Sequence, residues 1–226
     1  MATPGSADNL GVGSWIERRA RSMPDATALL VGDTPVSYAT LAERVRRLAN
    51  GLRQLGVAKG DRVAWVGPNH PAFLETLFAA GWLGAVLAPI NHHEPNLVEA
   101  IMAEIEPTVL VQHSASGRTS PTASVTSQIA VAGAVPGTIE FEHLSDAASI
   151  PEEQVASVAL DDLCLLPHTS GTTGRQKVIM LTHGNMTWNA INMAVTAGIS
   201  RSDTTIAIAP LFRTGGLGVN VLPVLF

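Results

Sequence analysis

Residues 60–90 read GDRVAWVGPNHPAFLETLFAAGWLGAVLAPI, and this stretch decides the fold class. Its opening, Arg62–Val66, is rich in β-branched and aromatic residues, the composition of a strand. Pro71 suits the first turn of a helix, where a missing N–H costs nothing, so a helix is expected over Pro71–Leu83. Residues 85–88 are continuously apolar again, as a strand covered on both faces should be. Strand, helix, strand is a βαβ unit, and parallel strands need such a crossover. Further along, a helix is expected over 96–105 and a strand over 108–111. Upstream, Leu41, Val45, Leu48, Leu52 and Leu55 recur three or four apart and mark an amphipathic helix that Gly56 ends. Earlier still, residues 27–31 and 35–38 read as strands around a Gly32-Asp33 turn, and 15–23 as a helix capped by Ser14. The expected class is α/β, with mainly parallel sheets and flanking helices.

Beyond this unit, residues 114–128 are rich in Ser and Thr and read as an exposed loop. Strands are expected at 128–131 and 138–141, a connector over 150–159, and strands at 162–166 and 178–181. A helix over 183–197 takes Thr182 as its cap, and 204–209 reads as a further strand. Two subdomains are expected, 1–159 and 160–226. The last six residues, Val221-Leu222-Pro223-Val224-Leu225-Phe226, have no polar face. They are expected to need cover from further chain or a partner.

The 226 residues suffice to bury a core, and 46% hydrophobic against 15% charged residues excludes a disordered chain. A net charge of -5 and a pI near 5.8 exclude the basic face of a nucleic-acid binder. Arg18-Arg19 and Arg46-Arg47 read as solvated helix faces. Cys164 stands alone, so the chain has no internal disulfide, and its apolar surroundings mark an inert thiol in a cytoplasmic protein. The N-terminus has neither the basic start nor the apolar run of a secretory signal. Residues 73–90 carry Glu75, Gly81, Gly84 and Pro89, which suits a buried helix and strand and not a transmembrane segment. His92 and His93 would face opposite ways in an extended segment, a poor arrangement for one metal. Trp15, Trp65, Trp82 and Trp188 read as core or interface residues, and Glu152-Glu153 and Asp161-Asp162 as solvated acids.

The chemistry concentrates in Thr169, Ser170, Gly171, Thr172, Thr173, Gly174, Arg175, Gln176 and Lys177, between two expected strands. Glycines let backbone N–H groups turn toward an anion, hydroxyls add hydrogen bonds, and Lys177 supplies a compact positive charge. Such a loop holds phosphates. A plain polar turn has the same composition and stays open as a reading. The Walker pattern fails, because Gly171 and Gly174 are only three apart and no Ser or Thr follows the lysine. Ser170 lacks the G-x-S-x-G elbow of a nucleophile, and His168 has no acidic orienter in the sequence.

TSGTTG at 169–174, then Lys177 and Leu181-Thr182-His183-Gly184-Asn185, resembles the phosphate-loop signature of the adenylate-forming (AMP-binding) superfamily, in its acyl-CoA synthetase branch. Val36-Ser37-Tyr38, Gly60-Asp61-Arg62-Val63, Pro89-Ile90-Asn91 and Pro210-Leu211-Phe212 with Gly215-Gly216 extend the resemblance over essentially the whole chain. It implies a partial, truncated N-terminal domain of the adenylate-forming fold, with the C-terminal lid absent. It implies ATP, Mg²⁺ and coenzyme A, and a two-step reaction from carboxylic acid through acyl-AMP to thioester, on a fatty or other apolar acid. Thr169, Ser170, Gly171, Thr172, Thr173, Gly174 and Lys177 would contact ATP phosphates, and Phe212, Arg213, Gly215 and Gly216 would border the acyl pocket. No catalytic residue or metal ligand is assignable. Three positions depart from the pattern: Gln176 replaces a proline, Val178 a glycine that would matter if the site needs positive φ, and Arg213 a histidine. An inactive remnant or nucleotide-binding module, and an aryl-acid ligase or peptide-synthetase adenylation domain, stand as alternatives.

Overall fold

The computed structural model describes residues 8–117, 125–133, 135–145, 148, 156–169 and 177–226. The βαβ reading holds. Strand β3 (Arg62–Val66), helix α3 (Pro71–Leu83), strand β4 (Val86–Ile90), helix α4 (Pro95–Ile105) and strand β5 (Val109–His113) follow in order. Before them lie helix α1 (Ser14–Ser22), the hairpin of β1 (Thr27–Val31) and β2 (Thr34–Ser37), and helix α2 (Tyr38–Gln54). After them come β6 (Ser127–Val131), β7 (Ile139–Glu140), the short helix α5 (Phe141–Ser145), β8 (Leu163–Leu165), β9 (His168–Thr169), β10 (Lys177–Val178), β11 (Leu181–Thr182) and α6 (His183–Ala197). A π-helical turn, Gly216–Val221, runs into α7 (Leu222–Leu225).

The central sheet has the order β11-β8-β4-β3-β5-β6-β7. Its pairs are parallel except β11 against β8, which places an antiparallel strand at one edge. Alternation through the pleat sends Val63, Trp65, Leu87, Val109 and Val111 to the face covered by α1, α2 and α3. Ala64, Val66, Ala88 and Leu110 go to the other face, against Val98, Ile101 and Met102 of α4. Chain reversal from β3 toward β4 on one side and β5 on the other leaves a crevice at the carboxyl ends of these strands, where ligands bind in open α/β sheets. The expected division at 159/160 does not coincide with a sheet boundary, because β8 and β11 bond into the same sheet.

Helix α3 is buried along residues 72–83, including Glu75, whose carboxylate meets Arg44 Nε at 3.0 Å. Burial pushes the Glu75 carboxyl upward and Arg44 opposes that. Gly84 ends α3 at φ 69, the left-handed region that glycine occupies without strain. Gly13 permits the close crossing of α1 over α3, since a Cβ there would lie 2.2 Å from the Trp82 nitrogen. Among the described residues no helix is long and apolar enough to cross a membrane. Cys164 is buried, and burial pushes its thiol up to about 12.

Several expectations need correction. Ser14 is the first residue of α1 and not its cap; its hydroxyl donates to the Gly11 carbonyl at 2.8 Å. Residues 178–181 do not form one strand, because Val178 pairs with His168 while Leu181 pairs with Leu165. Residues 204–209 form no strand: the segment is exposed at 204–208, with Ile208 80% accessible. The loop expected over 114–128 gives way to strand β6 from Ser127, and residues 118–124 lie outside the described set. Val221, Leu222, Pro223 and Leu225 are buried, Val224 and Phe226 are half-buried, and Phe226 stands edge-on to Trp15 at 4.8 Å. Trp188 is exposed, unlike the three other tryptophans. Glu152 and Glu153 lie outside the described residues.

Candidate functional site

The expected phosphate loop hangs from a two-residue hairpin. Thr169 of β9 pairs with Lys177 of β10, and His168 pairs with Val178. Extended pairing holds Val178, so the feared strain of valine in place of glycine is absent. Positive φ outside glycine falls, among the described residues, on Glu106 and Ala132. The hydroxyl of Thr169 donates toward the Lys177 carbonyl at 3.5 Å, and both residues are exposed at the neck of the loop. Ser170, Gly171, Thr172, Thr173, Gly174 and Gln176 lie outside the described residues.

The neck opens on a cleft of about 920 Å³. One wall is the 209–216 segment, with Phe212, Arg213, Thr214 and Gly215; another is α6, through Asn185, Met186 and Asn189. The volume falls within the range of small-molecule sites. Four of the expected residues, Phe212, Arg213, Gly215 and Gly216, thus meet Thr169 at one cavity, while Lys177 stands across the hairpin from Thr169. Gly215 faces open space, where an added Cβ would meet nothing within 4 Å. Gly216 differs: a Cβ there would come 2.3 Å from the Pro210 carbonyl, so this glycine serves the folding of the wall. The Arg213 guanidinium carbon lies 5.8 Å from the Phe212 ring centre. His92 meets the same ring edge-on at 6.1 Å and stacks on His93 at 3.9 Å. The two histidines therefore share one side of a turn, against the expectation that they face apart.

Two side chains, Asn69 and Asn189, fix this geometry in roles the sequence did not disclose, and the expected Thr182 cap is completed by Asn185. Asn69, just after β3, donates to the Ala207 and Ala209 carbonyls at 2.8 and 2.9 Å and accepts from the Leu211 N–H at 2.8 Å. Asn189 donates to the Gly218 carbonyl at 2.7 Å and so ties the π-helical turn to α6. The start of α6 is a reciprocal cap, Thr182 Oγ1 accepting from the Asn185 N–H while the Asn185 side chain accepts from the Thr182 N–H. The T-x-x-N spacing was the available signal for the cap; Asn69 and Asn189 had none, because their partners lie 138–142 and 29 residues away.

His183, at the first position of α6, is 0% exposed, and its Nδ1 accepts from the Val12 N–H at 3.1 Å. Burial pulls its pKa down to about 4, partly offset by Asp162. His168 lines the cleft, and among the described residues its ring is half-buried with the Pro89 backbone as its polar neighbour. Burial lowers its pKa, and the Pro89 carbonyl partly opposes this. A largely neutral ring beside a cleft can serve an incoming polar ligand as donor or acceptor. For a metal the fit is poor, since no cluster of three or more His, Cys, Asp or Glu occurs among the described residues.

Against this geometry, the family model for AMP-binding enzyme matches residues 16–226. The chain belongs to the AMP-binding enzyme family. It corresponds to the N-terminal portion of that fold. It is 46% identical over 219 residues to a feruloyl-CoA synthase of Amycolatopsis sp., covering 96% of this chain and 42% of that protein. It is 34% identical to the indoleacetate–CoA ligase of Aromatoleum aromaticum, over 93% of this chain and 42% of that one. Among solved structures it resembles a long-chain-fatty-acid-CoA ligase from Archaeoglobus fulgidus, with a TM-score of 0.80 and 26% identity over 97% of this chain and 45% of the other. The chain thus spans about two fifths of the curated relatives' length.

Proposed function

We propose that this AMP-binding family member serves ATP-dependent activation of a carboxylic acid, with transfer of the acyl group to coenzyme A, and that its acid is aromatic. The observation that carries the reading is the meeting of the Thr169–Lys177 neck with the Phe212–Gly215 wall at one cleft. Two relatives named for feruloyl and indoleacetate substrates support an aromatic acid over the fatty acid first expected. So do the edges of Phe212 and His92 at that wall.

In this mechanism the chain's own groups bind and orient. Lys177 at the neck supplies a positive charge for phosphate oxygens, and the glycines and hydroxyl residues of the 169–174 sequence are of the kind that donate to them. ATP, when bound, offers an α-phosphorus to the substrate carboxylate, with pyrophosphate leaving. Magnesium would enter on the nucleotide's phosphates, since the cleft wall offers Glu94 as its one carboxylate among the described residues. Met186 and Phe212 exclude water on either side, and Asn69 and Asn189 hold the wall in place. Positioning and charge stabilisation are the means, as in nucleotidyl transfer generally.

Calorimetric titration of the chain with Mg·ATP tests the reading. Saturable binding is expected, and Lys177→Ala should weaken it about tenfold to a hundredfold without changing the unfolding midpoint, because a charge-assisted hydrogen bond is worth about 1.5–3 kcal/mol. Equal affinity in the two proteins would remove Lys177 from the phosphate site.

A further inference from the structure

A second cavity, of about 480 Å³, shares no lining residue with the cleft. Its floor is apolar. Trp15 of α1 and Phe226 meet edge-on at 4.8 Å, and Ile199 adds to them from beyond α6. Its rim carries Arg18, Arg19 and Arg201, and no acidic side chain lines it. Three cations on one small cavity run against the chain's net charge of -5.

None of the three is neutralised by a carboxylate among the described residues. Arg18 reaches only the Asn9 carbonyl, at 3.3 Å. Arg19 lies 5.9 Å over the Tyr38 ring and 3.8 Å from the Met23 sulfur, and its Nε is buried with no acceptor. Arg201 has no hydrogen bond or ion pair among the described residues. Asp203, the acid on the same turn, is occupied in capping it, accepting from the Ser200 N–H at 2.6 Å and hydroxyl at 2.9 Å. Trp15 is 2% exposed, and its indole N–H finds no acceptor among the described residues. Guanidinium and indole N–H groups donate and cannot accept. The polar lining is thus three arginines with no carboxylate partner among the described residues, beside the Ser22 and Ser200 hydroxyls and above aromatic and aliphatic carbon.

We propose that this cavity is a second binding site, for an amphiphilic monoanion with a carboxylate head and a short apolar tail. The head accepts from the arginine rim, where planar guanidinium groups match a carboxylate's two oxygens. The tail lies on Trp15 and Phe226. A volume of about 480 Å³ suits a molecule of this size, since ligand pockets span about 300–1,000 Å³. The site stands independently of the activity proposed for the cleft.

Calorimetry with octanoate on the chain, on the Arg18→Ala/Arg201→Ala variant and on Gly215→Trp tests it. Arg18 and Arg201 are exposed, so the double variant keeps the fold, which circular dichroism checks. Gly215→Trp fills the cleft and leaves the second cavity untouched. Saturable octanoate binding is expected, about tenfold or more weaker in the arginine variant because two charge-assisted contacts are lost, and within twofold of the parent in Gly215→Trp. Inorganic phosphate, a head with no tail, and octan-1-ol, a tail with no charge, should each bind about tenfold or more weakly than octanoate. Octanoate affinity unchanged by the arginine substitutions, or abolished by Gly215→Trp, places the acid in the cleft and overturns the proposal. So does phosphate or octanol matching octanoate, or octanoate failing to saturate.

Discussion

Helices α3 and α6 are of similar length and both carry many apolar residues, yet their surroundings differ. Residues 72–83 of α3 are buried to the last one, pressed between α2, α1 and the sheet. In α6 only His183, Gly184, Met186 and Ala190 are buried, while Trp188 and Val195 are 61% and 78% exposed. The extended 204–208 segment that follows is exposed as well. Non-directional apolar burial holds the first region. The second, which walls the cleft, shares the core through Met186, Ala190, Leu211 and the 217–225 turn, and adds directional contacts: the Thr182–Asn185 cap, His183 to Val12, Asn189 to Gly218 and Asn69 to three backbone groups. Apolar burial dominates the first region, and directional contacts carry a larger share of the second.

The largest expected effect belongs to the first region. Phe73 is fully buried and stands edge-on to Trp65, ring centres 5.5 Å apart. Phe73→Ala should lower unfolding free energy by about 3–5 kcal/mol, the usual cost of emptying such a site. Urea denaturation followed by tryptophan fluorescence measures it. A loss under about 1 kcal/mol would break the comparison, because the sheet and α3 would then not be where the burial energy lies.

Next in size is a pH effect in the second region. His183 has a folded pKa of about 4 against about 6.5 for a free imidazole, so the folded chain holds the ring neutral. The unfolded chain takes up its proton near pH 6.5. This contribution is complete above pH 6.5 and drains away as pH falls toward about 4, by up to about 3 kcal/mol. His183→Gln, which does not titrate, should flatten the stability profile across that window. A slope unchanged by the substitution would assign the acid sensitivity to other groups.

The same division governs how much could be read from the sequence. Arg62–Val66 and Pro71–Leu83 came out with their boundaries, because apolar period and helix-start chemistry are local signals. Thr182 announced its cap for the same reason. Thr169, Phe212 and Gly215, singled out by motif, line one cleft. What failed was long-range. Residues 204–209 have the composition of a strand, but a strand exists only where a neighbouring strand supplies hydrogen bonds, and here a side chain, Asn69, bonds two of the segment's carbonyls. The apolar 221–226 run looked bare because nothing in its own pattern reveals that Trp15, some 210 residues away, lies against it. His92 and His93 looked opposed because an extended backbone was assumed where a turn stacks their rings.

Asn69 offers the smallest and most discriminating test. Its amide bonds the Ala207 and Ala209 carbonyls and the Leu211 N–H, all on the cleft wall, and it stands at the carboxyl end of β3, where the two regions meet. Two of those three bonds are part-buried and one is exposed, so water can replace much of what is lost. Asn69→Ala should therefore cost only about 1 kcal/mol of global stability. Locally the effect should be larger in kind: the Leu211 amide loses its acceptor, and its hydrogen exchange should quicken while the amides of β3 and β4 stay protected to the global limit. If β3 and β4 quicken in step with Leu211, wall and sheet open together and the energetic separation of the two regions is wrong. If Leu211 alone responds, the wall is a separately opening unit pinned by one side chain, and loss of that pin should weaken Mg·ATP binding far more than it weakens the fold.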